Sequence, residues 1–582
     1  MVFTPPSWVP PLPEIPDDIT LEEFLNDPKH GRHPIPASRN PYTCGLTGKT
    51  YPYAEVVRRT ELVARAVSRR LGFEARDAAG ATEWDRVVGL FSLNTVDYIP
   101  LTHAVHRLGG IVTPASAAYS PEELEHQLRS SGARALFTCA PLLATALKAA
   151  SAVGIPEEKI FLLPVPGGDE KRKHGSFTTF DDLVAEGEGL PPTPPLNWIK
   201  GQAERQVAYL CYSSGTSGLP KAVMISHKNV IANVLQARTF EAVPYAALGV
   251  GPQVALGLLP LSHIYGLTLN ALVPQYRGDE VVILPRFELA TFLAAVQRHG
   301  IQRLNIVPPI MIQVVQNKDK CDAYDLSSVR TVFSGAAPMG VELIQDVNKQ
   351  YPKWNICQGY GMTESSPLVT TTSELDIQTG SSGSLIPGTR AKIVDPDGNE
   401  VTAHGRRGEM LVQSPSVVLG YLNNEKANAE TFVHHPDGRW LRTGDEVLVR
   451  LSANGFEHFD IVDRIKELIK VKGHQVAPAE LEAHLLAHDC VADCAVIPVI
   501  DERAGEVPKA FVVRDNAAAG KSDDELTKIL HKHVEEAKAR HKWLKGGIEF
   551  IDAIPKSPSG KILRRMLRDK EKEKRRQQGA KL

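Results

Sequence analysis

Short apolar runs alternate with helix-like stretches through the first half of the chain. Residues 87–93 form one apolar run, a helix-like stretch passes through Ile99, His103 and His106, and Gly109-Gly110-Ile111-Val112-Thr113-Pro114 supplies a second strand and a turn. Ser120-Pro121-Glu122-Glu123 reads as a helix start, with proline at the first position and acids in the first turn, and 133–138 is the next strand. The rhythm resumes with the apolar run 207–212, the helical spacing of Val230, Ile231, Val234 and Leu235, strands at 254–259 and 280–284, a helix at 289–299 and a strand at 303–307. Such alternation predicts an α/β fold of mainly parallel sheets with flanking helices. Residues 166–195 break the rhythm: Gly167-Gly168, Lys171-Arg172-Lys173 and Pro191-Pro192-Thr193-Pro194-Pro195 predict a surface crossing.

Size and charge narrow the field. At 582 residues and 42% hydrophobic, the chain is too long for one ordinary domain. With 66 basic against 68 acidic residues there is no overall basic field for holding nucleic acid, so any bound nucleotide is expected to be small. Seven cysteines without a Cys-x-x-Cys pair suit a reducing compartment. The proline-rich start with Glu14, Asp17 and Asp18 is no signal peptide. Residues 242–276 are long and almost uncharged, but Pro244, Gly249, Gly251, Pro252, Gly257, Pro260, Gly266 and Pro274 predict a buried strand, a loop and a short helix, and no membrane span.

Candidate chemistry is clustered. Tyr212-Ser213-Ser214-Gly215-Thr216-Ser217-Gly218-Leu219-Pro220-Lys221 packs hydroxyls, glycines and a lysine into ten residues, a composition that can converge backbone N–H groups and charge on phosphate between a strand and a helix. It lacks Walker spacing, and alone it could be a plain surface turn. Ser334-Gly335-Ala336-Ala337-Pro338 and Gln358-Gly359-Tyr360-Gly361-Met362-Thr363-Glu364 combine small residues, a stacking aromatic and oxygen ligands of the kind Mg²⁺ prefers. Trp440-Leu441-Arg442-Thr443-Gly444-Asp445 places an acid where it could accept ribose hydroxyls. A basic strand-like stretch over 461–476 follows, and Pro555-Lys556-Ser557-Pro558-Ser559-Gly560-Lys561 forms a further exposed loop.

Together these motifs, in this order from about Val87 to Lys561, resemble the adenylate-forming superfamily of acyl-CoA synthetases, luciferases and adenylation domains, most of all the 4-coumarate:CoA ligase-like branch. The resemblance implies a large N-terminal domain over 1–463 that binds AMP and acyl groups, and a small mobile α+β domain over 464–582. It implies that Ser213, Ser214, Gly215, Thr216, Ser217, Gly218 and Lys221 bind the outer phosphates of ATP, and that Gly335, Ala336, Ala337, Pro338, Gln358, Gly359 and Tyr360 hold adenine. Thr363 and Glu364 would serve the α-phosphate and Mg²⁺, Asp445 and Arg464 the ribose, and Lys561 would be the adenylation lysine. His263 matches the histidine beside the acyl carboxylate. Tyr265, Leu269, Gly361, Pro367 and Leu368 match the acyl pocket, apolar at Leu269 and Leu368. Lys466 matches the hinge, and Lys470, Lys472, Gly473 and Gln475 the thioester-forming face. The implied reaction joins an aryl acid of the cinnamic or phenylacetic type, or a medium-chain acid, to coenzyme A through an acyl-adenylate at the cost of ATP; the alternatives are an adenylate-forming enzyme with another acceptor and a nucleotide-binding homologue without turnover.

Other features carry less. His484, His488, Cys490 and Cys494 straddle a helix end and a strand, which argues against convergence on zinc. The basic stretch 561–581 is interleaved with Glu571 and Glu573 and reads as a solvated helix. Ala580-Lys581-Leu582 resembles a peroxisomal address, so an import receptor is an expected partner and the peroxisome the expected location, with cytoplasm as the alternative.

Overall fold

The computed structural model describes residues 1–73, 82–166, 177–213, 220–472, 474–501, 503–557 and 560–579. Two of the predicted runs, seen as strands Val87–Phe91 and Ile111–Ala115, are buried along their whole length and pair in parallel. A continuous apolar run without polar alternation is the signature of a strand covered on both faces. Helix Pro121–Ser131 starts where its sequence signal lies: Ser120 Oγ accepts from the Glu123 N–H at 3.3 Å while the Glu123 carboxylate accepts from the Ser120 N–H at 2.8 Å, and Gly132 ends it in the left-handed region at φ 69°.

Those strands belong to a seven-stranded sheet in the order Gly420–Tyr421, Lys221–Ser226, Val207–Ser213, Ile111–Ala115, Val87–Phe91, Ala135–Cys139 and Ile160–Leu163. Its first three strands pair antiparallel and the rest parallel. A nine-stranded sheet runs Ser384–Leu385, Leu368–Thr371, Asn355–Gly361, Thr331–Ser334, Arg303–Ile306, Val254–Gly257, Glu280–Ile283, Tyr42–Cys44 and Thr50–Tyr51, parallel except at its two ends. A third sheet, Arg390–Val394, Arg407–Gln413, Gly438–Leu451, Phe432–His435 and Glu457–Arg464, is wholly antiparallel, which strand–helix alternation did not foreshadow. One buried apolar core reaches from Phe3 to Phe459. A second, from Ile469 to Leu567, lies around a smaller sheet of His474–Val476, Ile469–Val471, Gly505–Arg514, Val491–Asp501 and Ile548–Phe550. The fold is thus α/β with a large N-terminal and a smaller C-terminal unit.

Three local expectations change. The segment after Val207–Ser213 does not enter a helix directly: Lys221–Ser226 is a strand paired antiparallel with Val207–Ser213, with Ser213 opposite Lys221, and helix His227–Leu248 follows. The chain therefore resumes at Lys221 as a strand, and no helix N-terminus lies there. Residues 242–248 finish that helix despite Pro244, ahead of strand Val254–Gly257 and the helical run Ile264–Arg277. No helix among the described residues is long and apolar enough to cross a membrane. The basic stretch 461–476 is split by a turn closed by the Glu467 N–H donating to the Arg464 carbonyl at 2.8 Å.

Candidate active site

A cleft of about 860 Å³ opens between the two units. Its floor comes from the carboxyl ends of neighbouring strands, where ligands of open parallel sheets bind. Strand Thr331–Ser334 delivers Ala336, Ala337 and Pro338, and strand Asn355–Gly361 delivers Gln358, Gly359, Tyr360 and Gly361. The antiparallel sheet adds Asp445 and Arg464, and the smaller unit adds Lys561. Ten of the residues singled out in the sequence thus face one space.

Close approach explains the small residues. Ala336 holds a left-handed φ of 67°, uncommon outside glycine, at the turn after the strand. A Cβ on Gly361 would lie 2.0 Å from the Pro367 carbonyl oxygen, and one on Gly359 would lie 2.5 Å from the Phe333 ring. These glycines make room for the protein's own packing as well as for a ligand. Gln358 is engaged too: its side-chain oxygen accepts from the Met339 N–H at 3.0 Å and its amide donates to the Ser381 carbonyl at 3.3 Å.

The polar groups form a connected set. The Tyr360 hydroxyl donates to Asp445 at 2.6 Å, and Arg464 Nε stands 3.6 Å from the other Asp445 oxygen. Burial raises the Asp445 carboxyl, opposed by Arg464 and by the Tyr360 hydrogen bond. Lys561 sits in a hairpin loop: the Ser557 N–H donates to the Lys561 carbonyl at 2.8 Å, and the Lys561 N–H donates to Ser557 Oγ at 3.2 Å. Lys556 fixes the base of this loop with 2.7 Å contacts to both Asp493 oxygens. Gly560, at φ 82°, leaves room for Val307, which would lie 3.2 Å from its Cβ, so the loop rests on the large unit. Burial and the repulsion of Arg464 bring the Lys561 ammonium down to about 8, against the pull of Glu467, Asp445 and Glu364. His263 accepts from the Tyr265 N–H through Nδ1 at 3.2 Å; burial and the nearby Lys561 hold it at about 4 and therefore neutral.

Glu364 follows Thr363 in a short turn and is buried, with Oε1 accepting from the Tyr421 hydroxyl at 2.7 Å. The same Tyr421 ring lies 4.1 Å below the Lys221 ammonium. Tyr421, which the sequence reading missed, therefore ties the phosphate-type lysine to the expected metal-binding carboxylate. Nothing in its two-residue edge strand marks it, since the aromatic sits within an apolar run like many others. Arg564 was also missed, although it stands three residues after Lys561; its guanidinium reaches Glu467 at 2.7 Å and Glu482 at 2.6 Å.

Other expected residues lie elsewhere. Tyr265, Leu269, Pro367 and Leu368 are not among those lining the cleft. Tyr265 donates to the Phe333 carbonyl at 3.2 Å with its ring against Gly335, and Leu368 packs beside Gly359, so this set builds the wall behind the floor. Lys466, Lys470, Lys472 and Gln475 are exposed and off the cleft. Ser214, Gly215, Thr216, Ser217, Gly218, Gly473 and the terminal Ala580-Lys581-Leu582 fall outside the described residues. His484 stacks on His533 at 4.1 Å, while the Cys490 and Cys494 thiols donate to the Ala517 and Glu482 carbonyls.

Comparison with known proteins agrees with this geometry. The AMP-binding enzyme family model matches residues 36–422, and that of the AMP-binding enzyme C-terminal domain matches 480–561. Acyl-CoA ligase AKT1 of Alternaria alternata is 41% identical over 98% of this chain and 97% of its own length. Acyl-CoA ligase easD of Emericella nidulans is 40% identical over 98% and 100%. The crystal structure of the anthranilate CoA ligase AuaEII with anthranoyl-AMP aligns with a TM-score of 0.79 at 25% identity, covering 96% of this chain and 98% of that one. The chain belongs to the AMP-binding, adenylate-forming enzymes and, within them, is an AMP-forming acyl-CoA synthetase, with ATP and CoA as its co-substrates.

Proposed function

We propose that the protein activates an aryl acid of the cinnamic or phenylacetic type, or a medium-chain acid, as its acyl-adenylate and passes the acyl group to free CoA. The observation that carries this reading is Lys561 held in one cleft with Asp445 and Arg464, within electrostatic reach of Glu364 and His263. A carboxylate is a poor electrophile. One of its oxygens attacks the α-phosphorus of ATP, the bond to pyrophosphate breaks, and a CoA thiolate then attacks the acyl carbon and expels AMP.

The protein's part in the first step is positioning and charge neutralisation. Adenine would lie along Ala336 to Pro338 and against Tyr360, with the ribose hydroxyls on Asp445, which Arg464 and Tyr360 already orient. Lys561 would bridge the α-phosphate and the acyl carboxylate, beside a neutral His263 that adds no competing charge. Lys221, its ammonium on Tyr421, would meet the outer phosphates. The pairing of a buried carboxylate with the adjacent Thr363 hydroxyl suits Mg²⁺, which takes few protein oxygens and keeps phosphate and water ligands; Glu364 would hold it. When bound, the ion supplies charge neutralisation on the phosphates.

The acyl tail would lie against the wall containing Leu269 and Leu368. An acid with an unsubstituted tail suits these side chains, because burying a hydroxyl without a partner costs about 1–3 kcal/mol. The test is acid-dependent pyrophosphate release across cinnamic, 4-coumaric, phenylacetic and C6 to C12 acids, with and without CoA. Release with cinnamic or medium-chain acids and thioester formation with CoA are expected; a tenfold preference for 4-coumarate over cinnamate would overturn the apolar tail.

A further inference from the structure

The cleft forms only while the smaller unit is folded back on the larger one, so something must hold that pose across the turn at 464–468. Helix Pro478–Leu486 of the smaller unit begins with proline and has no side-chain cap of its own, since Ala477 stands at the capping position. The missing acceptor comes from the other side of the turn: Oδ2 of Asp463, in strand Glu457–Arg464 of the large unit, accepts from the Ala479 N–H at 3.0 Å. A carboxylate there meets both an unsatisfied donor and the positive end of the helix dipole. Asp463 also exerts electrostatic attraction on Arg564, whose guanidinium is locked to Glu467 and Glu482 and whose Nε donates to the Val496 carbonyl at 3.3 Å. Arg564 lies three residues beyond Lys561, so the carboxylate that caps the helix also attracts the segment carrying the lysine. Near that helix, a Cβ on Gly340 would stand 3.1 Å from the Ala483 Cβ, which shows how closely the units approach.

We infer that Asp463 is a positioning residue: it latches helix Pro478–Leu486 and the Arg564 segment to the large unit, and thereby places Lys561 in the cleft for the first half-reaction. The proposal rests on the ligase reading above. Any swing of the smaller unit about the exposed Lys466 carries Ala479 away from Asp463, so the latch favours the pose with Lys561 in the cleft and no other. Removing it should depopulate that pose while leaving the rest of the chemistry in place.

The test measures the half-reactions separately in the full-length protein, using acid-dependent pyrophosphate release and conversion of synthetic acyl-adenylate with CoA to thioester. Asp463→Ala is expected to slow the first on the order of tenfold, the effect of a lost helix cap, and to leave the second unchanged or faster. Asp463→Asn keeps a capping oxygen but not the charge facing Arg564, and should fall between Asp463→Ala and wild type. Thermal melting of both variants controls for folding; if Asp463→Ala proves too unstable, the Asn variant alone must show the split. Equal loss of both half-reactions in the Asn variant, or no change in either variant, would overturn the latch while leaving the ligase reading standing. A wild-type protein with no acid-dependent pyrophosphate release would overturn both.

Discussion

At the scale of single residues, Lys561 has the most exposed consequence. Its ammonium, brought down by burial and Arg464 to about 8, carries the charge that adenylation uses only while protonated. The sign follows directly: in the free enzyme the cation dominates below pH 8 and is lost above it. We expect kcat/KM for adenylation to fall as pH rises through about 8, because that quantity reports the free enzyme. Bound phosphates favour the cation, so the fall in kcat should lie at higher pH. Lys561→Arg, whose guanidinium stays charged, should lose the alkaline fall even if it is slower overall. A flat wild-type profile between pH 7 and 9.5 would rule out the free-enzyme cation as the acting species. His263, held near 4, contributes no ionisation in that window.

At the scale of elements, what was legible in the sequence followed the kind of signal involved. Helix Leu289–His299 and the buried strands were legible because their patterns are local: apolar runs, capping residues and terminal glycines act within a few residues of themselves. Asp445 and Ala336 stood out as candidates in their own motifs, but their meeting with Arg464 and Lys561 was legible only through the resemblance to a known family, since nothing local brings residues so far apart in the chain to one cleft. Tyr421 was illegible for a physical reason. Its role comes from an antiparallel pairing of Gly420–Tyr421 with Val223 and Met224, and a two-residue edge strand has no periodicity to read. The pairing of Lys221–Ser226 with Val207–Ser213 was misread as a strand-to-helix turn because the helical spacing from Val230 onward is the stronger signal and the six-residue strand before it is short. The Tyr421 strand carries its own expectation. Tyr421→Phe keeps the ring beneath Lys221 but leaves the buried Glu364 carboxylate without its donor, a loss of roughly 1.5–3 kcal/mol for a hydrogen bond to a charged group. Adenylation should fall about tenfold to a hundredfold, and the Mg²⁺ concentration for half-maximal rate should shift. An unchanged Mg²⁺ dependence, measured by pyrophosphate release over a metal titration, would detach Tyr421 from the Glu364 site.

At the scale of the whole molecule, the two basic features of the smaller unit face different ways. Lys561 lines the cleft, whereas the hairpin of Ile469–Val471 and His474–Val476 shows Lys470 and Gln475 to solvent. One rigid arrangement therefore cannot use both at the same site, and the proposed chemistry has two steps with different needs for charge. Removing one cation about 4 Å from a phosphate, at an effective dielectric near 20, costs roughly 4 kcal/mol before desolvation, about three powers of ten in rate. Lys561→Ala should accordingly lose acyl-adenylate formation by that order, yet still convert synthetic acyl-adenylate and CoA to thioester. Lys470→Glu should do the reverse: the side chain is exposed and off the cleft, so adenylation should stay within about twofold, while reversed charge on the hairpin should repel the phosphates of CoA and slow thioester formation at least tenfold. Proline at Lys466 is a poorer probe, because it would stand third in the Arg464–Glu467 turn, where it disturbs the preceding residue and the pose itself. Both half-reactions measured for both variants, with melting curves alongside, give a crossed pattern if the smaller unit turns between the steps. Parallel losses in both variants would mean that the two faces do not alternate at one site.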